Sequence, residues 1–417
     1  RIMSSDDISN VNALSNIVSI EGDLYIENNP ILSNVDGLSN LISIGGKVRI
    51  VNNPMLLNID GFTNITSIVE SLFFYNNSML SNVDGFSNLT SIGEGLAIGE
   101  NSALLNVDGF SSLTFIGGRL SIRENPMLSN VDGLSNLTSI GGDLSFFNNP
   151  ILSNIDGLSS LVSVGGDLSI WNNNTLLNVD GLSSLVSVGG DLSFFNNPIL
   201  SNIDGLTSLI SVEEGLYIGT NSMLLDLDGL NSLIYIGGDL GISNNPMLSH
   251  IDVFSNLIYI GGDLGISYNE ILVNIDGLSN IIAVEGYLYI RNNPVLADLD
   301  GFSSLSSVGE TFYITVNTML SNIDGLSSLT STGGLLIEEN PVLENIDSLS
   351  NITSIFGNLY IGENNMLLNI NGLNSLMYVE GFLTIQNNPE LAICCGILPL
   401  LDSGNVSGDI NIEDNLP

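Results

Sequence analysis

Pro30-Ile31-Leu32-Ser33-Asn34-Val35-Asp36-Gly37-Leu38-Ser39-Asn40-Leu41-Ile42-Ser43-Ile44-Gly45-Gly46-Lys47-Val48-Arg49-Ile50-Val51-Asn52-Asn53 is one turn of a 24-residue repeat. Its apolar residues Leu32, Val35, Leu38, Leu41, Ile44, Val48 and Ile50 are separated by 3, 3, 3, 3, 4 and 2 positions. Only the last interval is the period of a β-strand, in which alternate side chains share a face. Val48-Arg49-Ile50 therefore reads as a strand with Arg49 outward. Steps of three fit tight turns or 3-10 pieces, whose every third residue faces the same way. Asp36-Gly37 and Gly45-Gly46 supply bends.

The closing residue, Asn53, recurs at the same place in every coil. It returns at Asn77, Asn101, Asn125, Asn149, Asn173 and Asn197, and on to Asn317. After one skipped residue it continues at Asn340, Asn364 and Asn388. A polar residue at a fixed period inside an apolar repeat marks a solenoid. A buried amide there can bond backbone groups that the turn leaves unpaired. The pattern predicts a mainly β fold: a right-handed solenoid of 24-residue coils. One long parallel sheet would form one side, with turn and 3-10 segments on the others. Residues 1–393 read as a single continuous solenoid of about 16 coils. Residues 394–417 read as a capping coil, with a longer connection over Asp402–Ser407 and a continuation beyond this chain. Between Asp324 and Asp347 one residue is missing, which predicts a local tightening.

Charge narrows the partners. Acidic residues number 45 against 6 basic ones, a formal charge of −39. Nucleic acid and anionic membranes need a basic surface, so neither is expected. No run of about 18 apolar residues is present, so no membrane span is expected. Cations, basic proteins and neutral glycans fit better. Two cysteines make no disulfide framework. One histidine, no metal-ligand cluster and no phosphate loop leave little for catalysis. Neither an enzyme nor a resident cofactor is expected.

A second column is acidic and includes Asp132, Asp156, Asp180 and Asp204. Like charges ~5 Å apart repel by about 1 kcal/mol in water. Two readings offset that repulsion. Each carboxylate could accept backbone N–H bonds in an Asx turn, or calcium could sit between coils. The hydroxyls of Ser39, Thr63, Ser87 and their equivalents would cap the short turns.

Function belongs to the columns that vary. On the outward face of the long sheet, Phe147, Trp171 and Phe195 stand on three successive coils, beside Ser145, Ser169 and Ser193. Trp171 is the only tryptophan. Phe73 with Tyr75 forms a second aromatic cluster, and Tyr217 is a further outward candidate. Tyr289, Tyr313 and Tyr360 make a weaker strip. Exposed aromatic groups of this size mark interfaces, or else stack on each other and stiffen the sheet.

The unit Leu144-Ser145-Phe146-Phe147-Asn148-Asn149-Pro150-Ile151-Leu152 resembles leucine-rich repeats. The complete coil, with Asp-Gly-Leu-Ser-Ser-Leu and Gly-Gly-Asp-Leu, resembles receptor L-domain repeats, as in secreted surface proteins of Bacteroidota and in fungal wall-anchored proteins. Cys394-Cys395-Gly396-Ile397-Leu398-Pro399 is similar to the end cap of the bacterial group. The resemblance covers nearly the whole chain. It implies export to the cell surface, no enzyme activity, and binding through variable outward columns. Two functions follow as expectations. One is an extracellular adhesion or recognition module that binds a protein or glycan along the sheet face. The other is a structural segment of a filament or stalk that assembles with copies of itself.

Overall fold

A computed structural model describes residues 1–392 and 394–416. The chain divides into two compact units, Arg1–Leu209 and Ile210–Pro417. In the first unit, four-residue strands recur from Leu24–Glu27 to Leu192–Phe195. Up to Leu168–Trp171 each pairs in parallel with the strand 24 residues on, so that Leu144 faces Leu168 and Phe147 faces Trp171. In Leu144–Phe147 the first and third residues are buried and the second and fourth look outward. Between strands the chain makes a 3-10 turn, as at Asp156–Leu158, with Leu158 inward. Leucine, isoleucine and valine columns fill the core, and three phenylalanines replace the turn leucine at Phe62, Phe86 and Phe110. Their rings stack at 5.2 and 6.0 Å. Burying one such side chain contributes about 1.5–3 kcal/mol, most of it against neighbouring coils, so no coil stands alone. This is the mainly β solenoid of 24-residue coils that the spacing predicts, with a parallel sheet on one side and 3-10 turns on another.

Two local features go beyond that expectation. The run of threefold steps is not all turn. Its last residues extend into two-residue strands, such as Ser139–Ile140 and Ser163–Val164, which pair in parallel as a second sheet. The residue before each ladder asparagine has positive φ, for example 56° at Asn52 and 53° at Asn148. Asparagine tolerates that left-handed conformation better than most side chains.

The Asp-Gly glycine is required by close approach. A methyl group on Gly157 would collide with the carbonyl of Val131 in the preceding coil. Two exceptions in the second unit, Val253 and Ser348, use different remedies. At Val253 the 3-10 segment shifts to Val253–Asn256, with Phe254 at ψ 22°. At Ser348 the hydroxyl donates to the Ile323 carbonyl at 2.7 Å.

In the second unit the strands run from Leu216–Gly219 to Leu383–Gln386. The coil that lacks one residue does not tighten as expected. It straightens: the bend disappears and the short and long strands fuse into Ser331–Glu338. Its neighbour Ser307–Thr315 fuses too, and the register shifts between Val308 and Thr311. The boundary expected at residue 393 falls outside the described residues. Beyond it come a 3-10 turn at Cys395–Ile397 and an α-helix at Leu398–Ser403, where a longer connection was expected. Gly404, at φ 69°, ends that helix. A last strand, Ile410–Glu413, pairs with Leu383–Gln386.

Candidate interaction surfaces

The asparagine column is wholly buried from Asn29 to Asn388, and its amides repeat one bonding pattern. Asn149 shows the pattern. Its Oδ1 accepts from the Asn125 backbone N–H at 3.2 Å. Its Nδ2 donates to the Ile122 carbonyl at 2.9 Å, and its own N–H donates to Asn173 Oδ1 at 3.1 Å. In the second unit the column extends one place beyond the sequence reading: the Asn388 N–H donates to Asn415 Oδ1 at 3.1 Å. Among the amides described, none is left over for a ligand, because the side chain is spent on the preceding coil and the backbone N–H on the next.

The aspartate column does something other than the expected Asx turn. The acceptor in that turn is the asparagine two residues earlier: Asn130 Oδ1 takes the Asp132 N–H, and Asn154 Oδ1 takes the Asp156 N–H, both at 3.2 Å. The same pairing joins Asn178 to Asp180 and Asn202 to Asp204. Asp132, Asp156, Asp180 and Asp204 are all exposed. Partial burial, then repulsion from the aspartates of the flanking coils, pushes the Asp156 carboxyl up; the same causes act on Asp60 and Asp108. One carboxylate per coil falls short of the six to eight oxygens that calcium takes. A different acid column bonds the backbone: Asp167 Oδ1 accepts from the Asp191 N–H at 2.9 Å. The hydroxyl column caps less than expected. The residue after it makes the bond, as where Asn136 Nδ2 donates to the Ser111 carbonyl at 2.7 Å.

On the outward face of the first unit, Trp171 and Phe195 are 43% and 44% exposed. Their rings meet edge to face at 6.5 Å. The Trp171 indole N–H donates to Ser193 Oγ at 2.8 Å, and Ser193 Oγ donates to Ser169 Oγ at 3.2 Å. The indole thereby roofs the serine lane, and Ser193 is buried. Phe147 is half-buried beside them, directly paired with Trp171 across the strands.

The other aromatic candidates are occupied by their own neighbours. The Arg49 guanidinium lies 5.4 Å over the Phe73 ring, and Arg123 lies 5.2 Å over Tyr75. Both rings are half-buried. Arg49 also pairs with Glu27 at 2.7 Å. In the second unit the Tyr217 hydroxyl donates to Asp239 Oδ2 at 3.0 Å. Tyr289 and Tyr313 stack at 5.0 Å, and the Tyr360 hydroxyl accepts from Gln386 Nε2 at 3.1 Å.

Three features escaped the sequence reading. Ser249 Oγ lies 2.8 Å from His250 Nδ1, and His250 Nε2 lies 3.8 Å from Asp252 Oδ1. These are the residue types of a hydrolytic triad. Asp252 is too distant for a hydrogen bond and its side chain is 58% exposed, so the buried orienting acid is missing. A hollow of about 670 Å³ in the second unit is lined by Val316, Glu339, Pro341, Glu363, Pro389 and Asp414, among others. The second sheet of that unit carries an exposed column, Ile210, Ile234, Ile258 and Ile282, beside Tyr235 and Tyr259.

Among the described residues, no helix is long and apolar enough to cross a membrane. No family model matches the chain, and no curated protein matches it. Among solved structures it is similar to an internalin from Listeria monocytogenes, at 16% identity and a TM-score of 0.38. That match covers 95% of this chain and 87% of the internalin.

Proposed function

We propose that the protein is a non-catalytic recognition module of an extracellular surface protein. It binds a protein or glycan along the outward face of the first unit, through Trp171 and Phe195 with Phe147 beside them. One observation carries this reading: two large aromatic side chains are nearly half exposed yet held in place by a ring contact and an indole hydrogen bond. Binding to such a fixed surface loses little side-chain entropy, and Trp and Tyr-like anchors dominate interface energies. The likeness of the coil to surface-protein repeats and the charge of −39 support an extracellular setting. The exposed Asp252 supports the absence of hydrolytic chemistry at Ser249.

The sole tryptophan is its own reporter. Titration of intrinsic fluorescence with neutral oligosaccharides and with surface-protein extracts should quench or shift Trp171 emission. Trp171→Ala should weaken attachment at least tenfold and leave the melting temperature unchanged, since the side chain packs on an open face. Undiminished attachment by Trp171→Ala removes the reading. A second reading, a structural segment of a filament or stalk, is supported by exposed apolar columns such as Met55 and Met79 in the first unit.

A further inference from the structure

We infer that a second copy of this chain docks on the outward face of the short-strand sheet in the unit Ile210–Pro417. The strands Ser211–Val212, Tyr235–Ile236 and Tyr259–Ile260 pair in parallel and in register. Val212, Ile236 and Ile260 are buried beneath them. Ahead of each strand stands an isoleucine, and backbone bonds fix the spacing: Ile234 N–H to Ile210 carbonyl at 3.0 Å, Ile258 N–H to Ile234 carbonyl at 3.2 Å. Ile258 and Ile282 are each 61% exposed. The Tyr235 and Tyr259 rings stack at 5.4 Å and within 6° of parallel. They lie flat because Gly237 and Gly261 follow in the same coils; a methyl on either would come within 3.1 Å of the ring or its hydroxyl.

Three arguments select the occupant. The two central coils carry no charged residue over Ser232–Gly238 and Asn256–Gly262, and the carboxylates that the flanking coils place in the same columns, Glu213, Glu214 and Glu285, stand at the two ends of the patch, so its middle suits an apolar and not a basic partner. The six side chains present roughly 500 Å² of apolar surface, at the upper end of what a monomer exposes. Two such faces bury about 1,000 Å², the lower bound for a specific interface, which predicts a weak dimer. The decisive argument is pitch. Isoleucines repeated once per coil, ~4.8 Å apart, interdigitate along their whole length only with a surface of the same pitch. A second copy related by a two-fold axis offers one. This face is separate from the Trp171 surface, and the inference does not depend on that reading.

Sedimentation velocity of the full chain tests it. The mass should rise toward twice the monomer at about 100 µM protein. It should rise further in ~0.5 M NaCl, where repulsion between the acidic copies is screened. Ile258→Asp places a charge on an already exposed site, so it should fold with an unchanged melting temperature and remain monomeric throughout. Ile282→Ser, which adds no charge, should weaken the dimer at least threefold. Trp171→Ala and Ile42→Asp, the latter in the same column of the first unit, should dimerise as the parent does. A parent chain that stays monomeric under the high-salt condition overturns the inference. So does an Ile258→Asp chain that dimerises normally.

Discussion

Asn149→Ala should cost about 3 kcal/mol, localised to one place along the first unit. The Asn149 side chain accepts the Asn125 N–H at 3.2 Å and donates to the Ile122 carbonyl at 2.9 Å. Asn125 and Asn149 are wholly buried, so water cannot replace either bond. Each orphaned polar group loses ~1–3 kcal/mol, and the void adds a little more. The Asn149 N–H keeps its bond to Asn173, so the damage points toward the N-terminal neighbour and not the C-terminal one. Hydrogen exchange read residue by residue is therefore a better assay than a global melt, because a repeat array loses stability locally. Protection of the Asn125 amide should fall by roughly a hundredfold, at 1.4 kcal/mol per tenfold. Protection of the Asn149 amide should fall far less. Asn148→Ala, at an exposed position with φ 53°, is the control and should cost about 1 kcal/mol. Equal loss at Asn125 and Asn149, or a change under threefold at Asn125, would refute the account of the ladder.

Three further outcomes are expected. Val316 is a β-branched residue held at φ 58°, so Val316→Asn should stabilise the second unit by about 1 kcal/mol, measured by denaturant unfolding. The Asp156 carboxyl is raised above 3.8 in the folded chain, so the fold takes up that proton first. Its penalty is present at neutral pH, eases as pH falls through the raised value, and is gone below 3.8. Asp156→Asn should thus stabilise at pH ~7 by no more than about 0.5 kcal/mol after solvent screening, and lose that advantage in acid. Calcium should raise the melting temperature no more than magnesium at equal concentration, since both only screen the aspartate column. A calcium-specific rise would instead place the ion among Asp132, Asp156, Asp180 and Asp204.

Much of the scaffold is legible in the residues because its causes are local. The two-residue step in Val48-Arg49-Ile50 is a strand signal, and the invariant Asn53 column is a buried amide signal. What escaped depends on contacts between coils. Ser163–Val164 carries the same threefold spacing as the turn before it and becomes a strand only because Ser139–Ile140 lies alongside. The left-handed column is hidden because Asn148, Glu124, Tyr268 and Val316 share a φ and not a chemistry. The Asx acceptor was misread by two positions: Asn130 and Asp132 both fit a turn, and only geometry decides between them. For the candidate site, outwardness of Phe147, Trp171 and Phe195 follows from strand alternation. The cover that Arg49 and Arg123 give Phe73 and Tyr75 does not, because a long side chain can turn toward either neighbour. The Ile258 face escaped because an apolar residue in an apolar repeat looks like core.

The asparagine bonds also have a direction. Each N–H donates toward the C-terminus, to an oxygen that the following coil supplies, as from Asn125 to Asn149 and from Asn364 to Asn388. A coil in either unit is therefore closed by its successor. During synthesis or export that begins at the N-terminus, every completed coil but the newest has its amide satisfied, and one dangling donor marks the growing end. Folding can then proceed in step with emergence, one coil behind the exit. The Asn388 donor is met in the same way by Asn415, two residues beyond the strand Ile410–Glu413 that follows the short α-helix.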